Sequence, residues 1–348
     1  MKNLKRKAAI LVGIVFLVSG LLKMTDPTGT MLIVTEYFKF LHLGFLQPGA
    51  RFLGVMLSLI ECIIGVGLVT GVLRRLYATA TFLMLAFFTV VTLILWILNP
   101  VMDCGCFGQA VHLTHAQSFL KNLLLLALSV FAFTPLHSLG EPKPRKYVSF
   151  SLGFACVLMA CIYSNTHLPI LEFTDFTTGT ELYASLDEDA SDEALEASAM
   201  LGFYNSQGEY LDSLAAAGKV AVISVWKPSK AHWEDIEEQY RKVQAAGALP
   251  LVLAASYPAE LEKLGVPATL PVYFADYKTL ITLNRSNGGG TYFSDGELIY
   301  KWAAGHFPDT FGEDLKEDAL VVSSRNLVRR RVAAEGFCVV LGAILLLM

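Results

Sequence analysis

The sequence predicts a polytopic α-helical membrane bundle joined to an α/β domain outside the bilayer. Three observations lead there. Of 348 residues, 54% are hydrophobic and 17% are charged, against roughly 25% charged in an average soluble domain. The apolar residues gather into runs close to the 20 or so that a bilayer core requires, and these runs fill the first half of the chain. From Thr166 onward the composition turns polar. The net charge of -4 offers no basic surface for nucleic acid.

Lys2, Lys5, Arg6 and Lys7 precede an apolar run over residues 8–24. No small-x-small cleavage site follows, so the run reads as a retained first helix rather than a signal peptide, with Pro27 helping to end it. Residues 29–46 mix apolar side chains with Glu36, Lys39 and His42, and Tyr37, Phe38 and Phe40 suit an interface. This stretch is expected to lie on the membrane rather than cross it. Further spans are expected over residues 52–73, 76–98, 119–139 and 147–163. Thr114 with Gln117 has the capping-box pattern, which marks a helix start. If each run spans, the N-terminal basic residues, Arg74 with Arg75, and the turn carrying Lys143, Arg145 and Lys146 all fall on one side. Basic loops stay inside. The loop near residue 104 and residues 166–331 are then outside, on the periplasmic face of a bacterial cytoplasmic (inner) membrane. Residues 332–348 are just long enough for a C-terminal anchor, although Arg325, Arg329, Arg330 and Arg331 before them break the positive-inside trend.

The residues most informative about chemistry are Asp103-Cys104-Gly105-Cys106-Phe107-Gly108, a short outer loop between two spans. Three readings are open. Cys104 and Cys106 are a redox pair, since residues two apart reach disulfide distance with strain and strained, exposed disulfides are labile. Alternatively they staple the loop. The third and weakest reading is metal binding, with His112 and His115 completing a Cys-x-Cys, His-x-x-His set. Within the bundle, Glu61 sits mid-span, where an ionisable group faces the interior by default and serves as a proton or cofactor contact or as a packing residue. Lys23 near the outer end of the first span is a second such contact, or snorkels to the surface. Gly54, Ser58, Gly67 and Gly71 suit close helix packing. Cys62, Cys156, Cys161 and Cys338 lie in apolar runs and need no role.

In the polar half, residues 187–196 are acidic and read as a solvated linker or helix. Strands are expected at 219–226 and 249–254, helices at 229–246 (capped by Ser229), 258–264 and 309–317, and a hairpin at 290–302 around Asp295-Gly296. That order resembles the thioredoxin-like fold. Val225-Trp226-Lys227-Pro228-Ser229-Lys230 resembles the strand-end Trp-Cys-x-x-Cys of that family, with Lys227 and Lys230 where the cysteines would stand. The run at Gly288, Gly289 and Gly290 stands where the family places a cis-proline. Exchange needs a thiolate, which lysine cannot supply. The resemblance therefore implies a binding or scaffolding domain.

Residues 16–27 (Phe-Leu-Val-Ser-Gly-Leu-Leu-Lys-Met-Thr-Asp-Pro), Glu61 and the Asp103–Gly108 string together resemble the DoxX/MauE-like membrane proteins. The resemblance implies a four-helix unit over residues 1–140, then a fifth transmembrane helix at 147–165. An extracytoplasmic thioredoxin-like domain without Cys-x-x-Cys follows at 166–325, and an anchor at 332–348. Chains of this layout resemble a Bacteroidetes-type architecture. The MauE branch is implicated in methylamine utilisation, in maturing a disulfide-rich partner. The related vitamin K epoxide reductase-like bundles exchange disulfides with quinones through Cys-x-x-Cys, where this chain has Cys-x-Cys. The expected function is a membrane thiol–disulfide or maturation component using Cys104 and Cys106, with an extracytoplasmic client protein and a lipid-soluble carrier such as a quinone. The alternative is a non-enzymatic assembly protein with a structural loop. A transporter is less expected, because no repeat of broken helices surrounds a midplane site.

Overall fold

The computed structural model describes residues 2–134, 142–182, 200–267 and 269–347. The acidic segment 187–196, the end of the fourth expected span at 135–139 and the last residue of the 332–348 run lie outside the described residues. Among the described residues, five helices are long and apolar enough to cross a membrane: Asn3–Thr25, Gly44–Thr70, Arg74–Leu98, His115–Phe133 and Pro144–Thr166. The regular elements are α1 (Lys2–Thr25), α2 (Pro27–Phe40), α3 (Ala50–Thr70), α4 (Arg74–Leu98), α5 (His115–Phe133) and α6 (Pro144–Thr166), with a short extended segment β1 (Cys106–Gln109) in the α4–α5 connection.

Helix α2 occupies the stretch expected at the interface. Its 14 residues reach about 21 Å at 1.5 Å per residue, short of a hydrocarbon core of about 30 Å. Asp26 caps it by accepting from the Gly29 amide, and it buries Pro27, Thr28, Gly29, Thr30, Ile33 and Phe38. It is thus packed into the unit along one side.

Helices α1 and α3 approach most closely at glycines that the sequence reading passed over. A Cβ placed on Gly65 would lie 2.7 Å from the Leu17 nitrogen and 2.8 Å from the Gly13 carbonyl oxygen. One on Gly20 would lie 2.7 Å from the Ser58 carbonyl oxygen. Lipid tails are as apolar as leucine, so helices in a bilayer associate through such close packing. Of the four small residues expected to serve this purpose, Gly54 faces Thr30 of α2 and Gly67 faces the Tyr77 ring. Ser58 donates to its own helix at Gly54 O, and Gly71 ends α3.

Residues Met1–Leu171 with Ala333–Met348 form one compact unit, and Glu172–Val332 form the other. The last helix, α11 (Ala319–Leu347), belongs to the second unit up to Val332 and to the first from Ala333. It begins well before the expected anchor, carries all four arginines, and is not among the five apolar spans.

The second unit holds β2 (Lys219–Val225), α7 (Trp233–Ala246), β3 (Leu249–Ala254), α8 (Pro258–Leu261), β4 (Val272–Phe274), α9 (Tyr277–Leu283), β5 (Gly289–Ser294), β6 (Glu297–Trp302) and α10 (Phe311–Asp314). The sheet order is β4-β3-β2-β5-β6, with β2, β3 and β4 parallel and β5 and β6 antiparallel to their neighbours. This is a thioredoxin-like sheet, except that its outer parallel strand, β4, follows β3 in the chain. Asp295 and Gly296 both have positive φ, 48° and 83°, as a two-residue hairpin requires of its central pair. Helix α7 starts at Trp233 rather than at Ser229, because Pro228–Lys230 form a 3-10 turn and Ala231 is extended. Helix α9, unanticipated, begins at an Asp276 side chain that accepts from the Lys278 and Thr279 amides.

The glycine seam generates a prediction. Gly65→Ala should lower the stability of the detergent-solubilised protein by about 1–3 kcal/mol, the range for overpacking. Gly44→Ala, with open space around it, should leave the melting temperature unchanged. Thermal unfolding of both variants checks it.

Candidate redox loop and buried ion pair

The α4–α5 connection is built from its two ends. Asn99 closes α4 in the left-handed region, its amide bonded to Leu95 O. Thr114 opens α5 with both bonds of the capping box in place, so the expected start is realised and His115 is the first helical residue. Between them, Gly105 has φ +63°, and a Cβ there would stand 2.5 Å from Ile33 Cγ2 of α2. A side chain at this position meets both backbone strain and a neighbouring helix. The loop is tied down twice through its backbone: Tyr37 Oη donates to Cys104 O at 2.8 Å, and Ser19 Oγ lies 2.7 Å from Cys106 O.

These anchors present Cys104 and Cys106 differently. Cys104 is buried, 7% exposed, and Cys106 is half-buried. Both are free thiols. Cys104 Sγ lies 2.8 Å from His115 Nδ1, and His115 Nε2 lies 3.0 Å from Pro100 O. Burial holds the Cys104 thiol above the usual thiol range, with Cys106 and Asp103 pushing the same way and the Ser118 hydroxyl and Lys121 pulling down. His112 Nδ1 faces Asp103 at 3.2 Å instead. Of the four candidate metal ligands, only Cys104 and His115 therefore meet, while His112 turns to Asp103. No group of three or more His, Cys, Asp or Glu positioned to hold a metal occurs among the described residues.

Below the loop, Lys23 Nζ meets Glu61 Oε1 at 2.5 Å, with both side chains almost fully buried. The different depths of the two residues along the chain do not keep them apart, because α1 and α3 cross where a glycine lets the helices touch. Lys23 turns inward instead of snorkelling. Ser19 Oγ lies 2.9 Å from Glu61 Oε2 as well as beside Cys106 O. Its single proton serves one acceptor at a time. Lys23 Nζ donates to Ser19 Oγ at 3.3 Å, so with the Ser19 proton on Cys106 O a hydrogen-bonded line runs from the ion pair to the backbone of the cysteine loop.

A cavity of about 280 Å³ opens beside this line. Phe16, Leu85, Leu95 and Leu125 are among its apolar walls, while Lys23, Glu61, Cys104 and Cys106 are also part of its lining. Tyr37 and Ser19 were not singled out from the sequence. Tyr37 reads as an interfacial aromatic, and Ser19 is one of many hydroxyls in apolar helices. For His115 a signal existed: the capping box at Thr114 fixes where its side chain starts.

In the other unit, Lys227 and Lys230 are exposed at the end of β2. Asn287 pins this turn, accepting from the Lys227 amide at 2.8 Å and donating to Lys227 O at 3.1 Å. The Gly288 amide donates to Ser224 O, so the glycine run lies beside the turn. None of the six cysteines falls in residues 172–332.

Fold and site define a multi-pass membrane protein with a thioredoxin-like domain outside the membrane. Its membrane half is MauE-like: residues 1–135 match the family of the methylamine utilisation protein MauE. The chain is also similar to Protein TlpB of Flavobacterium psychrophilum, 29% identical over 165 residues. That match covers 45% of this chain and 45% of TlpB, so it spans less than half of the relative's length. No solved structure matches the chain.

Breaking a buried pair by removing one partner leaves an uncompensated charge and costs about 3–5 kcal/mol, whereas replacing both with apolar groups is often near neutral. Lys23→Met and Glu61→Leu are each expected to destabilise the bundle by that order, and the double variant by clearly less than the sum. Thermal unfolding of the three proteins in one detergent measures the coupling.

Proposed function

We propose that the protein is a membrane thiol–disulfide component that matures an extracytoplasmic client, with Cys104 and Cys106 as the redox pair. The observation that carries this reading is that residues 172–332 hold no cysteine, while Cys104 and Cys106 share one short loop that lines the cavity. Electrons balance as follows. A client dithiol reduces the Cys104–Cys106 disulfide and leaves as a client disulfide. The resulting loop dithiol then gives up two electrons and two protons to an acceptor.

The lining of the cavity fits a lipid-soluble acceptor such as a quinone. Its walls are apolar, and Lys23 offers a cation and hydrogen-bond donor beside the two cysteines. A quinone supplies the capacity to accept two electrons and two protons and to leave as the quinol. The chain's part is to hold the loop against the cavity through Tyr37 and Ser19 and to keep the Cys104 thiol from bulk water. The outer domain, with Lys227 and Lys230 in place of cysteines, serves to hold the client.

A second reading keeps the outer domain as the working part and makes the loop a staple in an assembly protein. The lack of thiols in that domain favours a binding role, which both readings share. They differ in whether the loop turns over.

In cells quenched with acid, free thiols are labelled with a heavy maleimide before and after reduction, in protein whose other cysteines are serine. A mixed population of reduced and oxidised loop that shifts on quinone depletion is expected. A loop that is always oxidised supports the staple. Either Cys104→Ser or Cys106→Ser should reduce client oxidation by about 100-fold or more, as loss of a required thiolate does. Lys227→Ala and Lys230→Ala should change it by less than about twofold, since exposed lysines outside the exchange path carry little.

A further inference from the structure

The two cysteines of the loop are not equivalent, and the asymmetry is chemical as well as geometric. His115 Nε2 faces the Pro100 carbonyl. A carbonyl oxygen only accepts, so Nε2 carries the ring hydrogen. In the neutral ring Nδ1 is then a bare acceptor, 2.8 Å from Cys104 Sγ. The imidazole position is fixed by the capping box that sets the first turn of α5 and by the Pro100 bond. Cys106 has no such partner and is the more exposed of the two. Around Cys104 the remaining charged or polar groups are Asp103 and Cys106 on the loop, Ser118 and Lys121 on α5, and Tyr37 on α2, whose hydroxyl holds Cys104 O. Ser118 Oγ is buried without a conventional hydrogen-bond partner.

We infer that His115 is a catalytic residue, the acid–base partner of Cys104, and that Cys106 is the sulfur to which the client is joined. The inference rests on the redox reading of the loop. The client thiolate attacks Cys106 Sγ, the Cys104–Cys106 bond breaks, and its electron pair leaves on Cys104 Sγ. The imidazolium of His115 gives that sulfur its Nδ1 proton. The client's second thiolate then attacks the client sulfur bonded to Cys106, forming the client disulfide. Cys106 is released as a thiolate and is protonated from water. On reoxidation the roles reverse: a buried neutral thiol is a poor nucleophile, and His115 takes the Cys104 proton. The hydroxyl of Ser118 and the ammonium of Lys121 favour the anion that results.

The test uses reduced full-length protein in lipid nanodiscs. Iodoacetamide alkylation of Cys104 and Cys106 is followed residue by residue by mass spectrometry from about pH 5 to 9, the interval that brackets imidazole and thiol titration. The unmutated protein should show two steps for Cys104 across that interval. His115→Gln should abolish the lower step and slow Cys104 at pH 7 by about tenfold, as loss of a positioned base does. Cys106 should change by less than about twofold in that variant. A single thiol-range step for Cys104 in the unmutated protein overturns the inference, as does an unchanged profile in His115→Gln. The first measurement needs no variant, so it decides even where His115→Gln fails to fold. It also needs no client or acceptor. An absent lower step with a cycling loop in cells therefore removes only the His115 role, whereas a loop that never cycles removes the redox reading and leaves the pH profile standing.

Discussion

The ion pair between Lys23 and Glu61 joins the packing of the bundle to the placement of the loop. Two charges at bilayer depth are tolerated only when they face each other and the protein interior. That arrangement requires α1 and α3 to approach within reach of a lysine and a glutamate. The close contacts of Gly13, Gly20 and Gly65 provide that approach. The same pair leaves a carboxylate oxygen beside Ser19, and Ser19 lies beside the carbonyl of Cys106. Helix packing, charge burial and loop position are thus one connected constraint. A change in the α1–α3 crossing moves the carboxylate, the hydroxyl and the backbone of Cys106 together.

The loop itself combines rigidity with reactivity. Its ends are fixed by a left-handed residue at Asn99 and a capping box at Thr114, and its centre by the glycine at 105 pressed against Ile33. A thiol held this way is buried without being locked inside a helix. Burial raises the Cys104 thiol above its usual range, and His115 Nδ1 lies within hydrogen-bond distance of it. The half-buried Cys106 keeps access to the outside. The largely apolar cavity counts Cys104, Gly105 and Cys106 among its lining residues.

The outer domain keeps a thioredoxin-like sheet without a cysteine in residues 172–332. The β2 strand end, the following turn and the glycine run before β5 occupy the region where thioredoxin-like proteins place their redox centre, and Asn287 holds the turn by two backbone bonds. Lysines there offer charge and reach but no exchangeable sulfur.

The sequence by itself determined the fold class, because bilayer thickness imposes run lengths and the hairpin and capping signals are local. Five apolar helices, the Asp295-Gly296 turn and the Thr114 capping box were all legible for that reason. The local pattern misled at Ser229, where a proline turn postpones the helix, and it left unseen that the helix holding residues 332–347 already starts at Ala319 and runs through the arginines. Only the tertiary structure decided what meets what. Glu61 and Lys23 were visible as costly residues but not as a pair. His115 was visible as a metal candidate but not as the neighbour of Cys104. Tyr37 was visible as an interfacial aromatic and Ser19 as part of the 16–27 string, but neither as a contact of the cysteine loop. Their roles depend on contacts between segments far apart in the chain, set by how closely glycines let two helices approach, and no local pattern of side chains encodes that distance.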